Sequence, residues 1–405
     1  MKRISIILSF ILVSIAVMGQ GQGRGLIKPI VESPPMSKKQ ANAFKSFQEF
    51  RNWGIERVGL DSIIKQGYTG KGIKVCVCDT GKPYHVGLKG KIAAWSNFTV
   101  DAHSNDNNGH STHVAGIINE IAPDARLYFA KVLADDGWGS DRGIADGILW
   151  CGMQGVDIIN LSLGGPDPSP EIKAAIDAVL KDTILFVAAV GNEGDGGESV
   201  DNVGYPAKYS EVLSVGSINY DFGVSYFSSA GAGGDIVAPG SKIISMWGQN
   251  QYIALSGTSM ATPFVSGVGA LMREKYGKDD LAEEMVKRTA SDLVPEGYDR
   301  KSFWGKVSPQ TTFAVPTEEE MEGVFDSVDV ENPIDTGGNV IDSSGINPID
   351  SIDGGEKDST GVDDFFDMPE SFDDMSPEQT KWVLISMGVL LVMWLLWKYV
   401  INRKR

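Results

Sequence analysis

The segment "NNGHSTHVAG", Asn107–Gly116, carries two of the four histidines of this 405-residue chain. His110 and His113 stand three residues apart, so on a helix they face the same side. Such a pair can bind a metal, move a proton or simply pack. Metal binding is disfavoured, because no third ligand has suitable spacing and no H-E-x-x-H is present. Proton transfer needs a group to act on, and Ser259 of "SGTSMATP" is a candidate. A serine among small residues at a helix start leaves room for substrate, and its backbone N–H has no partner within the helix. Many helices also begin with a serine that only caps them, so Ser259 alone decides nothing. Two further polar residues end apolar runs: Asp79 closes "IKVCVCD" and Asn192 closes "ILFVAAVGN".

Chain order discriminates between triads. "GTSMA" is one residue away from the G-x-S-x-G elbow, whose triad runs serine, acid, histidine. His85, His103, His110 and His113 all precede Ser259, which leaves that arrangement without a base. The order Asp79, His110, Ser259 is the Asp-His-Ser solution to the same chemistry.

These residues need a frame that brings them together. From about Gly54 to Ala314, short β-branched runs alternate with amphipathic stretches. The expected strands include "IKVCVCD", "RLYFAKVL", "VDIINLSLG", "ILFVAAVGN", "VLSVGSIN" and "GDIVAPG". The expected helices include "GIADGILWCGMQG", "EIKAAIDAVLKD" and "SMATPFVSGVGALMREKYG". This alternation predicts an α/β fold of βαβ units with a mostly parallel sheet and a site at the carboxyl ends of its strands. Asp79 and Asn192 fall at such ends, and Ser259 opens a helix.

Five pieces in this order, "VCDTG", "GHSTHVAG", "INLSLGG", "AAVGNEG" and "SGTSMATP", resemble the motifs of the subtilisin-like serine proteases, the subtilases of peptidase family S8. The resemblance covers roughly Gly54 to Ala314 and implies a three-layer fold around the parallel sheet. It implies that Ser259 is the nucleophile and His110 the general base, with Asp79 orienting and stabilising the imidazole. It implies that Asn192 donates to the oxyanion together with the Ser259 N–H; such a donor is typically worth about 10²–10³ in turnover. Ser162, Leu163 and Gly164 resemble the strand that pairs with substrate. Ala189, Val190, Gly191 and Gly204 resemble the specificity pocket. Their small size implies a large apolar substrate side chain, with Glu193 at the rim able to admit a basic one. His113 resembles the family's second, packed histidine. No cofactor is implied.

The chain departs from the family pattern in several places. Ser111 stands where the family usually has glycine, and Phe264 follows Pro263 where it commonly has histidine. "HVAGIINEIAPDARLY" has no room for the loop that wraps a structural calcium in many secreted members, and "HVGL" at His85 lacks the usual carboxylate ligand. That particular calcium site is therefore expected to be missing, no metal-ligating residue is singled out, and other calcium sites are left open. About 30 residues lie between the expected signal peptide and the domain, too few for a folded inhibitory prodomain of the usual kind. Either the domain folds unaided, or "GLIKPIVESPPMSKK" acts as a short inhibitory segment.

The net charge of −17 is local. Between Thr317 and Thr380 there are 20 Asp and Glu against one Lys, so the rest of the chain is close to neutral. No basic block points to nucleic acid. The acidic stretch, residues 316–380, is too polar to fold alone and reads as a disordered linker. It lacks EF-hand spacing for calcium. As a coil of about 65 residues it reaches roughly 45 Å.

Both termini address a membrane. "MKRISIILSFILVSIAVMGQ" reads as a signal peptide, residues 1–19, the alternative being an uncleaved anchor. "WVLISMGVLLVMWLLWKYVINRKR" has the length and aromatic flanks of a transmembrane helix, residues 381–401, with a basic cytoplasmic tail at 402–405. Residues 20–51 are then a leader and 52–315 the peptidase domain. Cys76, Cys78 and Cys151 lack disulfide-framework or zinc spacing and read as small buried residues.

The expected function is that of a serine endopeptidase acting on protein or peptide substrate. It is expected to be held in the lipid bilayer by residues 381–401, with its catalytic domain outside the cytoplasm, periplasmic or at the cell surface. The alternative is an inactive subtilase-fold binding or scaffold protein. A third reading, an esterase or acyl-transferring ligase, would use the same triad.

Overall fold

The computed structural model describes residues 29–44, 53–180, 184–196, 200–277, 286–287, 290–293, 297–309 and 313, all within the compact unit Met1–Val330. The second unit, Glu331–Arg405, lies outside the described residues. So do the expected signal peptide, acidic linker, transmembrane helix and tail.

Along the chain the strands are β1 (Ile30–Val31), β2 (Lys74–Asp79), β3 (Ile92–Asn97), β4 (Arg126–Lys131), β5 (Ile158–Leu161), β6 (Leu185–Ala189), β7 (Leu213–Ile218), β8 (Ile236–Pro239), β9 (Ile243–Trp247) and β10 (Gln251–Ser256). The helices are α1 (Lys38–Phe44), α2 (Trp53–Arg57), α3 (Leu60–Lys65), α4 (His110–Ile121), α5 (Asp141–Met153), α6 (Pro170–Val179) and α7 (Thr258–Tyr276). Seven strands form one parallel sheet in the order β3-β4-β2-β5-β6-β7-β8. The remaining three form an antiparallel sheet in the order β1-β10-β9. The expected α/β class and parallel sheet are thus present, and the small second sheet and strand β3 are additions to the sequence reading.

Alternation along β2 builds the layers. Val75 and Val77 point into the core formed with Val114, Ile118, Val265 and Val268 of α4 and α7. Cys76 and Cys78 point the other way, into the core formed with Ile144 and Ile148 of α5 and Ile176 of α6. Both faces are buried, as a parallel sheet with helical crossovers requires. The helices start where their sequences allow. Ser140 caps α5 by accepting from the Gly143 N–H, and Ser169 caps α6 from Ile172 with Pro170 next to it. Gly109 precedes α4 at a φ of 97°, and a side chain there would run into the Trp247 ring.

The cysteines correct the sequence reading. Cys76 and Cys78 do share a buried face, but Cys76 is bonded to Cys151 of α5, 75 residues away in sequence, across a Cα–Cα distance of 6.1 Å. Spacing along the strand could not reveal a bond between strand and helix. Cys78 stays a buried thiol with its Sγ 3.6 Å from that of Cys151. Burial first, then the Asp79 charge, holds its pKa far above the ordinary thiol range, so it is unreactive while the fold is intact. Cross-linking a loop of this length stabilises by about 2–4 kcal/mol. The variant Cys151→Ser is expected to unfold at lower urea concentration with a steeper slope, because the uncrosslinked denatured chain exposes more surface, read by circular dichroism.

Candidate active site

Asp79 is the last residue of β2, Ser162 directly follows β5, Asn192 lies just beyond β6, and His110 and Ser259 sit in the first turns of α4 and α7. The parallel sheet brings their elements to one edge, the carboxyl edge on which α/β sites form.

Asp79 and His110 are almost completely buried, at 0% and 1% exposure. The His110 Nδ1 lies 2.8 Å from Asp79 Oδ1 and 3.0 Å from Oδ2. A carboxylate can only accept, so Nδ1 carries the proton and the lone pair of the neutral imidazole resides on Nε2. That Nε2 is buried with no hydrogen-bond partner among the described residues. The Thr80 backbone N–H also donates to Asp79 Oδ1, at 2.7 Å. Thr80 was not picked out from the sequence, where only its place directly after Asp79 distinguishes it.

Ser259 Oγ donates to the Ser162 carbonyl at 3.1 Å, and the Ser162 hydroxyl donates back to the Ser259 carbonyl at 3.0 Å. Pro263 accounts for the second bond. Its ring removes the N–H that would have paired with the Ser259 carbonyl within the helix, which leaves that oxygen for Ser162. Asn192 Oδ1 accepts from the N–H and hydroxyl of Thr258, at 2.9 and 3.0 Å. The asparagine is therefore anchored to the residue preceding Ser259.

The expected pocket residues also come together. The Gly204 N–H donates to the Val190 carbonyl, and Gly165 and Tyr205 exchange backbone bonds. Gly164 and Gly204 are thereby held side by side against Ala189–Gly191. At Gly191, φ is 115°, and a Cβ would lie 2.5 Å from Glu193 Oε2. The Glu193 carboxylate, which accepts from Ser229 Oγ, thus lies against Gly191. His113 stands apart from this group. Its Nε2–H is shared between the carbonyls of Ile243 and Ile253, joining α4 to β9 and β10. Where the calcium loop was expected to be missing, α4 passes to β4 through residues 122–125. Nearby, His85 Nδ1 accepts from the Gly87 N–H.

The leader contributes to the neighbourhood. Strand β1 pairs with β10 so that Ile30 lies opposite Ser256. Glu32 Oε1 accepts from Ser256 Oγ, and Pro29 Cα is 3.7 Å from where a Gly257 Cβ would stand. A segment preceding the domain therefore runs beside the turn that delivers Ser259.

Residues 70–305, more than half of the chain, match the subtilase family of S8 peptidases. The chain belongs to the subtilase family. This subtilase is 40% identical to Subtilisin DY of Bacillus licheniformis over 234 residues, which cover 55% of this chain and 85% of that protein. It is 41% identical to Subtilisin Savinase of Lederbergia lenta over 233 residues, 55% of this chain and 84% of the other. It is 40% identical to the major intracellular serine protease of Bacillus subtilis strain 168 over 260 residues, 58% and 82% of the two chains. The subtilase is a serine endopeptidase. No helix among its described residues is long and apolar enough to cross a membrane.

The two histidines of the subtilase should separate by experiment. His110→Ala is expected to abolish peptide hydrolysis in protein that still folds, with a lowered melting temperature because buried Asp79 loses a donor. His113→Ala should lower stability by roughly 1–3 kcal/mol while the folded fraction keeps its turnover. Equal loss of activity in two well-folded variants would overturn this division.

Proposed function

We propose that this subtilase hydrolyses peptide bonds through Ser259, His110 and Asp79, with an acyl-enzyme on Ser259. The observation that carries this reading is the buried, proton-fixed Asp79–His110 pair, which leaves a basic Nε2 without a partner. The Ser259 hydroxyl turns from the Ser162 carbonyl to that Nε2, loses its proton to it, and attacks the scissile carbonyl. His110 then returns the proton to the leaving amine, and water repeats the sequence on the acyl group. Hydrogen bonds in unliganded sites are often misaligned and tighten only with substrate, which accommodates the resting bond to Ser162. Asn192 and the Ser259 N–H stabilise the oxyanion. Ser162, Leu163 and Gly164 pair with the substrate backbone. Ala189, Val190, Gly191 and Gly204 take a large apolar side chain, and the Glu193 carboxylate beside them also admits a basic one. A fluorophosphonate probe is expected to label the wild type and not Ser259→Ala. Labelling of both, or of neither, would remove Ser259 from this role.

The proposal extends to place. A signal peptide at 1–19 and a transmembrane helix at 381–401 would tether the peptidase domain, 52–315, outside the cytoplasm on the acidic spacer 316–380. The apolar length at each end and the terminal Arg403–Arg405 cluster support this arrangement. Alkaline extraction of membranes bearing the full chain should leave the protein in the pellet, and a chain ending at residue 380 should be released.

Residues 25–39 of the leader are proposed as a short inhibitory segment, supported by the pairing of Ile30 and Val31 along β10 and by Pro29 beside Gly257. Deleting Gly25 to Lys39 should raise turnover of a small peptide substrate. Unchanged yield and activity would dispose of the idea.

A further inference from the structure

Asp106 lies four residues before His110, is 1% exposed, and has no part in the chemistry described above. Its two oxygens accept from four donors. Oδ1 takes the Gly109 N–H at 2.8 Å and the Thr80 hydroxyl at 2.8 Å. Oδ2 takes the Thr112 N–H at 2.7 Å and the Thr112 hydroxyl at 2.5 Å. Three of these four bonds hold the first turn of α4, the turn that carries His110. The fourth holds the residue that follows Asp79.

That fourth bond also fixes the state of Thr80. A hydroxyl has one proton, and Thr80 Oγ1 lies 2.8 Å from Asp106 but 3.1 Å from Asp79 Oδ1. The shorter contact takes the proton. Thr80 Oγ1 then serves as acceptor for the Ser111 N–H at 3.1 Å, which ties the residue after Asp79 to the residue after His110. The Thr80 carbonyl is held independently by the buried Lys131 ammonium at 2.7 Å, which in turn pairs with Asp101 and Asp135. With its side chain and carbonyl fixed, Thr80 directs its N–H at Asp79 Oδ1.

We infer that Asp106 is a positioning residue that sets the Asp79–His110 geometry, because one buried carboxylate grips the chain directly behind each member of the pair. It touches no substrate. It acts through Thr80 on one side and through the Gly109–Thr112 turn on the other. Burial raises the Asp106 pKa and the four donors oppose that shift; a neutral amide at the same place would have to turn an N–H₂ toward two of them. Releasing this grip lets the strand end and the helix start move independently, and misplacement of a reacting group by about 1 Å costs about 10²-fold in rate.

The inference rests on the proposed roles of Asp79 and His110, and the test separates the two. In Asp106→Asn, kcat for a peptide substrate should fall about 10- to 100-fold with KM within about twofold, because the binding strand and pocket are untouched. The low-field proton resonance of the His110 Nδ1–H should shift upfield, a change that loss of stability alone does not produce. Thr80→Val should show the same two effects, Thr80→Ser should restore them, and Asp106→Asn with Thr80→Val should be no worse than the stronger single change. Asp106→Ser, whose oxygen stops one bond short of both carboxylate positions, serves as a second variant that releases both sides of the grip. Thr112→Val, which removes one of the three helix-side bonds and leaves the bond to Thr80, should lower kcat less than Thr80→Val does. Wild-type kcat in folded Asp106→Asn or Asp106→Ser, or losses that multiply with Thr80→Val, would overturn the role of Asp106. Retained turnover in His110→Ala would instead overturn the triad on which it rests.

Discussion

A carboxylate removed from water is the constraint on which the rest of this structure turns. Asp79 is fully buried, and an ion in that position is tolerated only when its oxygens are met by donors. His110 Nδ1 and the Thr80 N–H supply them. Both donors come from segments that must arrive at the end of β2 with little freedom: the start of α4 and the first residue beyond the strand. The same bonds that make the charge tolerable also fix the imidazole tautomer. Stability and function therefore make the same demand on this corner of the fold.

The sheet transmits that demand outward. Because side chains alternate along β2, the position of Asp79 is fixed from both sides. Valines are clamped by α4 and α7, and cysteines face α5, one of them bonded to it. The serine side is fixed differently. There the helix start is held by side chains from neighbouring strand ends: Asn192 holds Thr258 and Ser162 holds Ser259. Pro263 takes part by withholding a backbone donor, an effect transmitted through the helix from four residues away.

The central strands were legible because they are short β-branched runs between turn residues, the pattern that a strand buried on both faces produces. Strand β3, "IAAWSN", has one β-branched residue and two alanines, so its pairing with β4 has no local signal. The β9–β10 pair is joined by Gly248, Gln249 and Asn250, without the tight Asn-Gly pattern of a short hairpin. The residues of the proposed triad were singled out by their types and order. Thr80 was not, because a threonine after an aspartate is unremarkable until its backbone is seen to meet the carboxylate. The same holds for the Cys76–Cys151 bond and for the leader's place on β10. Each depends on an approach between distant segments that no local spacing encodes.

The all-parallel order of the sheet has a consequence for when activity appears. Every neighbouring pair of strands is joined by a crossover or by chain that returns past other strands, so the sheet closes only through contacts distant in sequence. Asp79, Asn192 and Ser259 belong to three separate stretches of that path, and His110 to a fourth. A half-made chain can hold any one of them in place, yet it cannot hold all four. The hazard that a protease presents to its own nascent copies is thus limited by topology: the molecule becomes able to cut only as it ceases to be easily cut.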